Sequence, residues 1–296
     1  MGAFGHDSGH FAVSHNYPII NEWGVWAMSL ICNPIMWQHQ HTYGHHSFTN
    51  EFSRDPDLHH LTRFLRTHRL VDYCSTFEKQ RHLWYVVVCY LLVVFGTCLK
   101  IPLDMLVEGH LNNVVEWQDR HRWSKQLGMQ LHLVLYLAVV VVAPFVSHAS
   151  ASRAAVAVIL HIATLGSIFG YFSQVNHINE LSLEADNETK ASRVQSTHRD
   201  PRLTNSWAVA QVETSNNFAP DSLLWHFLSN GLNLQIEHHL FPGLNHGHLH
   251  LIVPVVRKTC EEFGVQYKCY DSWLDVMKIH LAWYEKLSYA TVASNY

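Results

Sequence analysis

Charge is scarce in this chain. Asp, Glu, Lys and Arg together make up 15% of its 296 residues, against roughly 25% in ordinary soluble proteins. The two signs nearly cancel, leaving a net charge of -4 with His neutral, so no basic field exists to hold nucleic acid. Cysteine is sparse as well. Cys32, Cys74, Cys89, Cys98, Cys260 and Cys269 form no CxxC pair, and three of them sit in or beside apolar runs. Reduced thiols in packing roles fit this pattern better than a disulfide framework. The opening MGAFGHDSGH has neither a basic n-region nor an apolar core, so no cleavable signal peptide is expected. Internal repeats and low-complexity tracts are absent too.

What the chain does have is apolar length and histidine. Hydrophobic residues reach 48%, in Val/Leu runs that make a membrane the natural solvent. Residues 23–37 (WGVWAMSLICNPIMW) are apolar but interrupted by Pro34; they are too short to span a bilayer, and Trp at both ends suggests an interfacial or re-entrant piece. Residues 127–147 and 154–175 are separated by a few small residues and Arg153, which predicts a transmembrane hairpin. Residues 83–99 run into KIPLDM, where Pro102 and two charges are expected to end the segment at the interface or in a re-entrant helix. Helices are also expected around 223–240 and 272–287. The fold class is therefore an all-α integral membrane protein in a single domain over 1–296. Its parts are a transmembrane hairpin at about 127–175, interfacial helices, and a helical cap at about 176–296 that holds a His-rich di-metal site.

Histidine is the outlier, with 25 copies. His6 and His10 lie four apart in HDSGH; His41, His45 and His46 cluster in HTYGHH; Gln235, His238 and His239 follow in QIEHH. On a helix such spacings put side chains on one face. Imidazole suits iron, zinc, copper and nickel, and this many converging ligands exceed what one ion can take, so two metals are expected. If all the boxes build one site, the chain between them crosses the membrane an even number of times, and three crossings are forbidden. Arg63, Arg66, Arg69, Lys79 and Arg81 precede one apolar run, and Arg120, Arg122 and Lys125 precede the hairpin. That bias puts the boxes in the cytoplasm. His177 closes the hairpin in SQVNH with Gln174 and Asn176 beside it, well placed to hold metal over the membrane.

Other histidines read more plainly. His39, His59, His60, His68, His82, His110, His121, His198, His226 and His280 are single side chains, expected to be packed or solvated. His246, His248 and His250 in HGHLH are read as a flanking segment. His132 and His161, inside the hairpin, are open between a functional role and a hydrogen bond across helices.

The chemistry follows from what side chains cannot do. No acid or base abstracts hydrogen from an unactivated alkyl C–H, so that task falls to metal and O2. A zinc hydrolase would instead show about three ligands and a general base, as in HExxH. Glu237 lies off the ligand face, as a supporting or salt-bridged group, while Asp7, Asp55 and Asp57 are spaced to orient imidazoles through their N–H groups. The reading from another class is a non-catalytic, His-rich zinc-binding membrane protein. Transporters, however, normally place ligands inside their spans.

These residues resemble the integral-membrane fatty acid desaturases, and among them the front-end acyl-lipid group of delta-5/delta-6 type. HDSGH is similar to the first box, HTYGHH to the second with FTNEFSRDPD behind it, QIEHHLFP to the third with Gln235 in place of a His, and SQVNH to the extra ligand at His177. WAVAQVETSNNF at 207–218 extends the likeness. The resemblance implies two iron ions held by His6, His10, His41, His45, His46, His177, His238 and His239, with Gln235 as a ninth position directly or through water. It implies O2 as co-substrate and electrons from cytochrome b5 and its reductase. The substrate would be a polyunsaturated acyl-CoA or phospholipid in the membrane, gaining a double bond on the carboxyl side of an existing one. It further implies the endoplasmic reticulum membrane with a cytosolic site, a chloroplast membrane being the alternative. A sphingoid-base desaturase or lipid hydroxylase is the neighbouring activity. The chain departs from the family in having no HPGG haem motif and only five residues before His6. It is therefore expected to be shortened at its N-terminus, lacking the b5 domain and first hairpin, with an inactive fragment as the corresponding alternative.

Overall fold

The computed structural model describes residues 2–183 and 206–289; His198 lies outside them. Among the described residues the architecture is helical, with two ladders of two-residue strands. β1 (His110–Leu111) pairs antiparallel with β2 (Val115–Glu116), and β3 (Asn217–Phe218) runs parallel to β4 (Cys269–Tyr270).

The first box lies on α1 (Gly2–Gly9) and the residue after it. Next comes α2 (Pro18–Gly24), which with a tight turn over Val25–Met28 carries the chain inward between the long helices. Ser29 accepts a hydrogen bond from His132 Nε2 at 2.9 Å, and Thr97 Oγ1 donates to the carbonyl of Ile31 at 2.7 Å. The chain then reverses. Asn33 caps the next helix, its Oδ1 accepting from the amides of Ile35 and Met36 at 3.1 and 3.2 Å. Pro34 follows in the first turn, where its missing N–H costs nothing. The proline that interrupts the apolar run therefore starts a helix, α3, which runs over Pro34–Trp37, widens into a π-turn over Gln38–His45 and closes at His46–Phe48. His132 thus serves the re-entrant turn through a neutral hydrogen bond.

Among the described residues three helices are long and apolar enough to cross a membrane by length and composition: α4 (Leu83–Glu108), α5 (Trp123–Ser147) and α6 (Ala151–Gln174). The expected stop of the first near residue 99 is corrected. A π-turn over Gly96–Lys100 resets the register, so Pro102 falls in the first turn of the continuing helix, where a proline is tolerated. Lys100 also pairs with Asp104 along the helix, so the two charges neutralise each other. The most apolar window of α4 is 56% buried, against 28% for α5 and 11% for α6; α4 is the most covered of the three, although it too exposes Trp84, Leu92 and Val107. Both ends of α4 are fastened to the metal-bearing side. Before it, Gln80 Nε2 donates to the Tyr284 carbonyl at 2.7 Å; after it, Asn112 Nδ2 donates to the Pro56 carbonyl at 3.2 Å.

The cap is made of α7 (Trp207–Glu213), α8 (Leu223–Leu228), α9 (Gln235–Leu240), α10 (Leu249–Glu262) and α11 (Trp273–Leu287). Leu58, Leu65, Tyr90, Ile178, Trp283 and Tyr284 join α4, α11 and the segment after α6 in one buried cluster, against which Phe169 and Tyr171 of α6 pack. Contact between α6 and α4 depends on Gly166, where an added Cβ would stand 2.3 Å from the Leu91 carbonyl oxygen. Backbone cannot swing aside as a side chain can, so Gly166→Val should lower stability by about 1–3 kcal/mol. Gly170→Ala, whose Cβ would meet side chains alone, a Val93 methyl at 2.9 Å and Tyr90 at 3.4 Å, should cost less. Thermal unfolding of the two variants in detergent checks the order.

Candidate metal centre

The π-turn in α3 arranges the second box. Such turns are rare and favour functional positions; here the widened turn stacks the His41 and His45 rings with centroids 5.3 Å apart and sets His46 across them. Gly44 allows the next loop to close on this helix, because a Cβ there would meet Pro56 Cγ at 2.8 Å. That contact brings Asp55 and Asp57 against the imidazoles.

Among the described residues two all-histidine groups of ligand atoms result, bridged by a third of His41, His45 and Asp57. His6, His10, His41 and His238 offer ring nitrogens that all lie within 4.8 Å of one another, and so do His45, His177 and His239. His46 lies between them, its Nε2 3.2 Å from His41 Nε2 and its ring stacked on His239 at 4.2 Å. All eight sequence-nominated histidines thus meet in one place. Gln235 reaches the second group, its amide Nε2 2.8 Å from His177 Nε2, and its Oε1 is buried without a partner.

Around the rings, acceptors fix which nitrogen faces inward. Asp55 Oδ2 accepts from His45 Nδ1 at 2.9 Å and from the Asn50 amide at 2.7 Å; Oδ1 accepts from the Asp57 amide at 2.9 Å. Asp57 faces His41 Nδ1 at 3.5 Å and holds Gln40 Nε2 at 2.7 Å. Thr214 offers its carbonyl to His177 Nδ1 at 3.1 Å, and Gln211 Oε1 accepts from His239 Nδ1 at 2.7 Å. Asp7 stands 3.7 Å from His6 Nδ1 and accepts from His246 Nδ1 and Asn245 Nδ2, both at 2.6 Å. His246, read as flanking, therefore ties the loop after the third box to the first. Asn176 differs from its expected place beside the ligands: it donates to the Leu232 carbonyl at 2.7 Å and accepts from Asn216 Nδ2, touching no imidazole. Glu237 points away, its carboxylate accepting from Asn217 Nδ2 and Tyr267 Oη at 2.6 and 2.7 Å. No carboxylate counter-charge is spent on the rings from that side.

Sequence reasoning missed α7. Gln211 and Thr214 share one of its faces, and Trp207 Nε1 donates to the His46 carbonyl at 3.2 Å, so this one helix serves ligands from the second box, the third box and SQVNH. No spacing in the sequence marks them, since Thr214 acts through its backbone carbonyl. Asn50 was missed too. It sits at a positive φ of 61°, a conformation Asn tolerates, and its Nδ2 donates to the carbonyls of His177, Ser182 and Thr214.

The chemistry of the set fits metal. His6 Nδ1 and Nε2, His10 Nε2, His46 Nδ1, His238 Nε2 and His239 Nε2 are buried without hydrogen-bond partners. Each orphan of that kind costs about 1–3 kcal/mol, and coordination would remove the cost. Burial holds His10, His46, His177, His238 and His239 well below the usual imidazole pKa, so their lone pairs are free. For His41 burial wins over the nearby Asp57, bringing it to about 4. His45 goes the other way: burial opposes its charge, but Asp55 and Asp57 override it and raise the pKa to about 9. By contrast His39, His59, His226 and His280 belong to neither group. His39 pairs with Asp119 at 3.3 Å, and His280 Nδ1 donates to the Ile178 carbonyl at 2.7 Å.

The fold and the site define a helical protein with membrane-length helices and two adjoining histidine groups able to hold metal. The family description Fatty acid desaturase matches residues 1–271, and the chain belongs to that family. It is 30% identical to an acyl-lipid (8-3)-desaturase of Physcomitrium patens, over 86% of this chain and 50% of the relative. It is 26% identical to the sn-1 linoleoyl-lipid 6-desaturase of Synechocystis, over 97% of this chain and 76% of the relative. Acyl-lipid (8-3)-desaturase B of Dictyostelium discoideum is also 26% identical, over 95% and 60%. The chain thus spans between half and three quarters of the length of these relatives. No solved structure matches it.

Proposed function

We propose that the protein is an O2-dependent acyl-lipid desaturase that inserts a double bond on the carboxyl side of an existing one in a polyunsaturated acyl chain. The observation that carries this reading is the convergence of two buried histidine groups in which the Nε2 atoms of His6, His10, His238 and His239 have no hydrogen-bond partner. The reading is also supported by the relatives, which are named acyl-lipid and linoleoyl-lipid desaturases. Two hydrogens leave adjacent carbons, O2 is reduced to two waters, and the balance takes two electrons and two protons from outside, here assigned to cytochrome b5 and its reductase. Two iron ions would supply O2 reduction and C–H cleavage. His6, His10, His41 and His238 would hold one ion and His45, His177 and His239 the other, with His46 between and Gln235 at the edge of the second.

The chain's own groups then have definite tasks. Asp55, Asp57, Gln211 and the Thr214 carbonyl face the Nδ1 atoms of His45, His41, His239 and His177 so that the opposite nitrogen is presented, and Asp7 ties the first box to the loop behind the third. The endoplasmic reticulum, with the site on the cytosolic face, is the proposed setting.

Yeast expressing the gene and fed C18 and C20 polyenoic acids should contain a new polyene with its added bond toward the carboxyl end. Unchanged lipids alongside intact, iron-loaded protein would count against the reading. Persistent zinc after expression in iron-rich medium would favour a zinc-binding protein instead. A second expectation concerns Gln211. Gln211→Leu removes the acceptor 2.7 Å from His239 Nδ1 and leaves the Thr49 hydroxyl, 3.2 Å away, as its partner; supporting groups of this type are worth about 10–100-fold in metal affinity. Gln211→Glu, which restores an acceptor, should recover most of it. Chelator competition on purified protein measures both, and equal affinities for Leu and Gln at this position would exclude the role.

A further inference from the structure

The cap exposes its most accessible apolar side chains on α8. Leu223, Leu224 and Phe227 on α8 are 86%, 62% and 80% exposed, and residues 223–228 include no Asp, Glu, Lys or Arg. The opposite side of α8 is firmly docked. Trp225 stacks on Trp273 at 5.1 Å with planes 10° apart, and packs near Phe218 at 6.2 Å and Phe172 at 6.4 Å. Phe172 lies in the last turn of α6, five residues before His177. The base of α8 is also clasped: Ser222 Oγ caps its start, the His226 carbonyl accepts from the Gly231 amide at 2.8 Å, and Asn233 Nδ2 donates to the Ala219 carbonyl.

We propose that α8 is an interfacial anchor whose Leu223, Leu224 and Phe227 enter the boundary between head groups and acyl chains of the bilayer, fixing the third-box ligands at a set height above it. The occupant is lipid because α8 docks through Trp225 on Phe172 in the last turn of α6, the apolar helix that itself exposes Ile159, Leu160 and Ile168. An apolar face at the end of a spanning helix meets the bilayer before it meets any soluble partner. The link to chemistry is short, since Gln235 follows Leu228 by seven residues through a segment held by Asn176 and Asn233. This inference rests on reading α5 and α6 as the spanning pair.

The test uses the full chain with Cys74→Ser and Cys269→Ser, so that an environment-sensitive fluorophore labels a single introduced cysteine. Phe227→Cys reports on α8, Val139→Cys on the exposed side of α5, and Lys258→Cys on the polar face of α10. Each protein is reconstituted in phosphatidylcholine nanodiscs containing doxyl-labelled phosphatidylcholine. Quenching at 227 should come within about twofold of that at 139 and exceed that at 258 by about fivefold or more. Quenching at 139 with none at 227 would overturn the anchor and leave the spanning pair intact. A blue-shifted but unquenched label at 227 would overturn it as well, showing protein, such as a second copy, on the patch. Absence of quenching at both 139 and 227 would remove the spanning reading and the anchor together.

Discussion

His238→Ala should remove one metal ion from the chain and His239→Ala the other, with desaturation falling to background in both. The two residues are neighbours on α9, yet their ring nitrogens belong to different groups: His238 with His6, His10 and His41, and His239 with His45 and His177. Truncating either leaves a site with fewer nitrogen donors while the adjoining group keeps its own. Metal content measured on purified variants should therefore fall from about two ions per chain to about one in each case. The remaining ions should differ in surroundings, which a cobalt(II)-substituted absorption spectrum reads without any turnover. Because His46 stacks on His239 and approaches His41, His46→Ala should disturb both spectra. Loss of both ions from His238→Ala with the fold intact would mean a single shared centre, and the two-group reading would fail.

Much of this arrangement was legible in the sequence because histidine spacing on a helix is nearly a geometric statement. HDSGH, HTYGHH, SQVNH and QIEHH named every imidazole that meets here. What spacing alone left out was the π-turn, which adds a residue to one turn of α3 and so lets His41 stack on His45 while His46 faces the opposite group. The supporting residues were legible only where they stood beside a box. Asp55 and Asp57 did; Gln211, Thr214, Asn245 and His246 come from chain segments that reach the site by tertiary packing, and no local pattern marks them.

The apolar segments show a second limit. Pro34 and Pro102 both looked like stops, and both begin a helical stretch, Pro34 after the Asn33 cap and Pro102 after a π-turn. The propensity of proline is the same in each reading; what changes is the register of the preceding turn, which the sequence does not display. With its full length α4 is a third helix long enough to cross a membrane beside the two of the expected hairpin, and both of its ends are tied to elements that carry the metal-site residues.

The other large effect belongs to Asp55. Its two oxygens accept three N–H groups, from His45 Nδ1, Asn50 and Asp57, in a fully buried position. Asp55→Asn has only one oxygen to offer. Whichever way the amide turns, its NH2 faces a backbone N–H, so at least one buried donor is left without an acceptor at a cost of about 1–3 kcal/mol. The charge matters separately. His45 in the metal-free protein has its pKa raised to about 9 by Asp55 and Asp57 against the effect of burial, above the ordinary value near 6.5. A raised folded-state pKa means the ion pair contributes fully below about pH 6.5 and is lost as pH rises through 9, and a shift of this size corresponds to about 3 kcal/mol. Metal-free Asp55→Asn protein should therefore melt well below the parent at pH 6, and the gap should narrow by pH 9.5, leaving only the cost of the orphaned donor. In the metal-loaded protein the same substitution weakens the hold on the His45 ring, and metal affinity should fall about 10–100-fold. Thermal unfolding at the two pH values, before and after chelation, separates these contributions. A gap in the metal-free protein that stays constant from pH 6 to 9.5 would show that Asp55 acts through hydrogen bonds alone, with His45 neutral throughout.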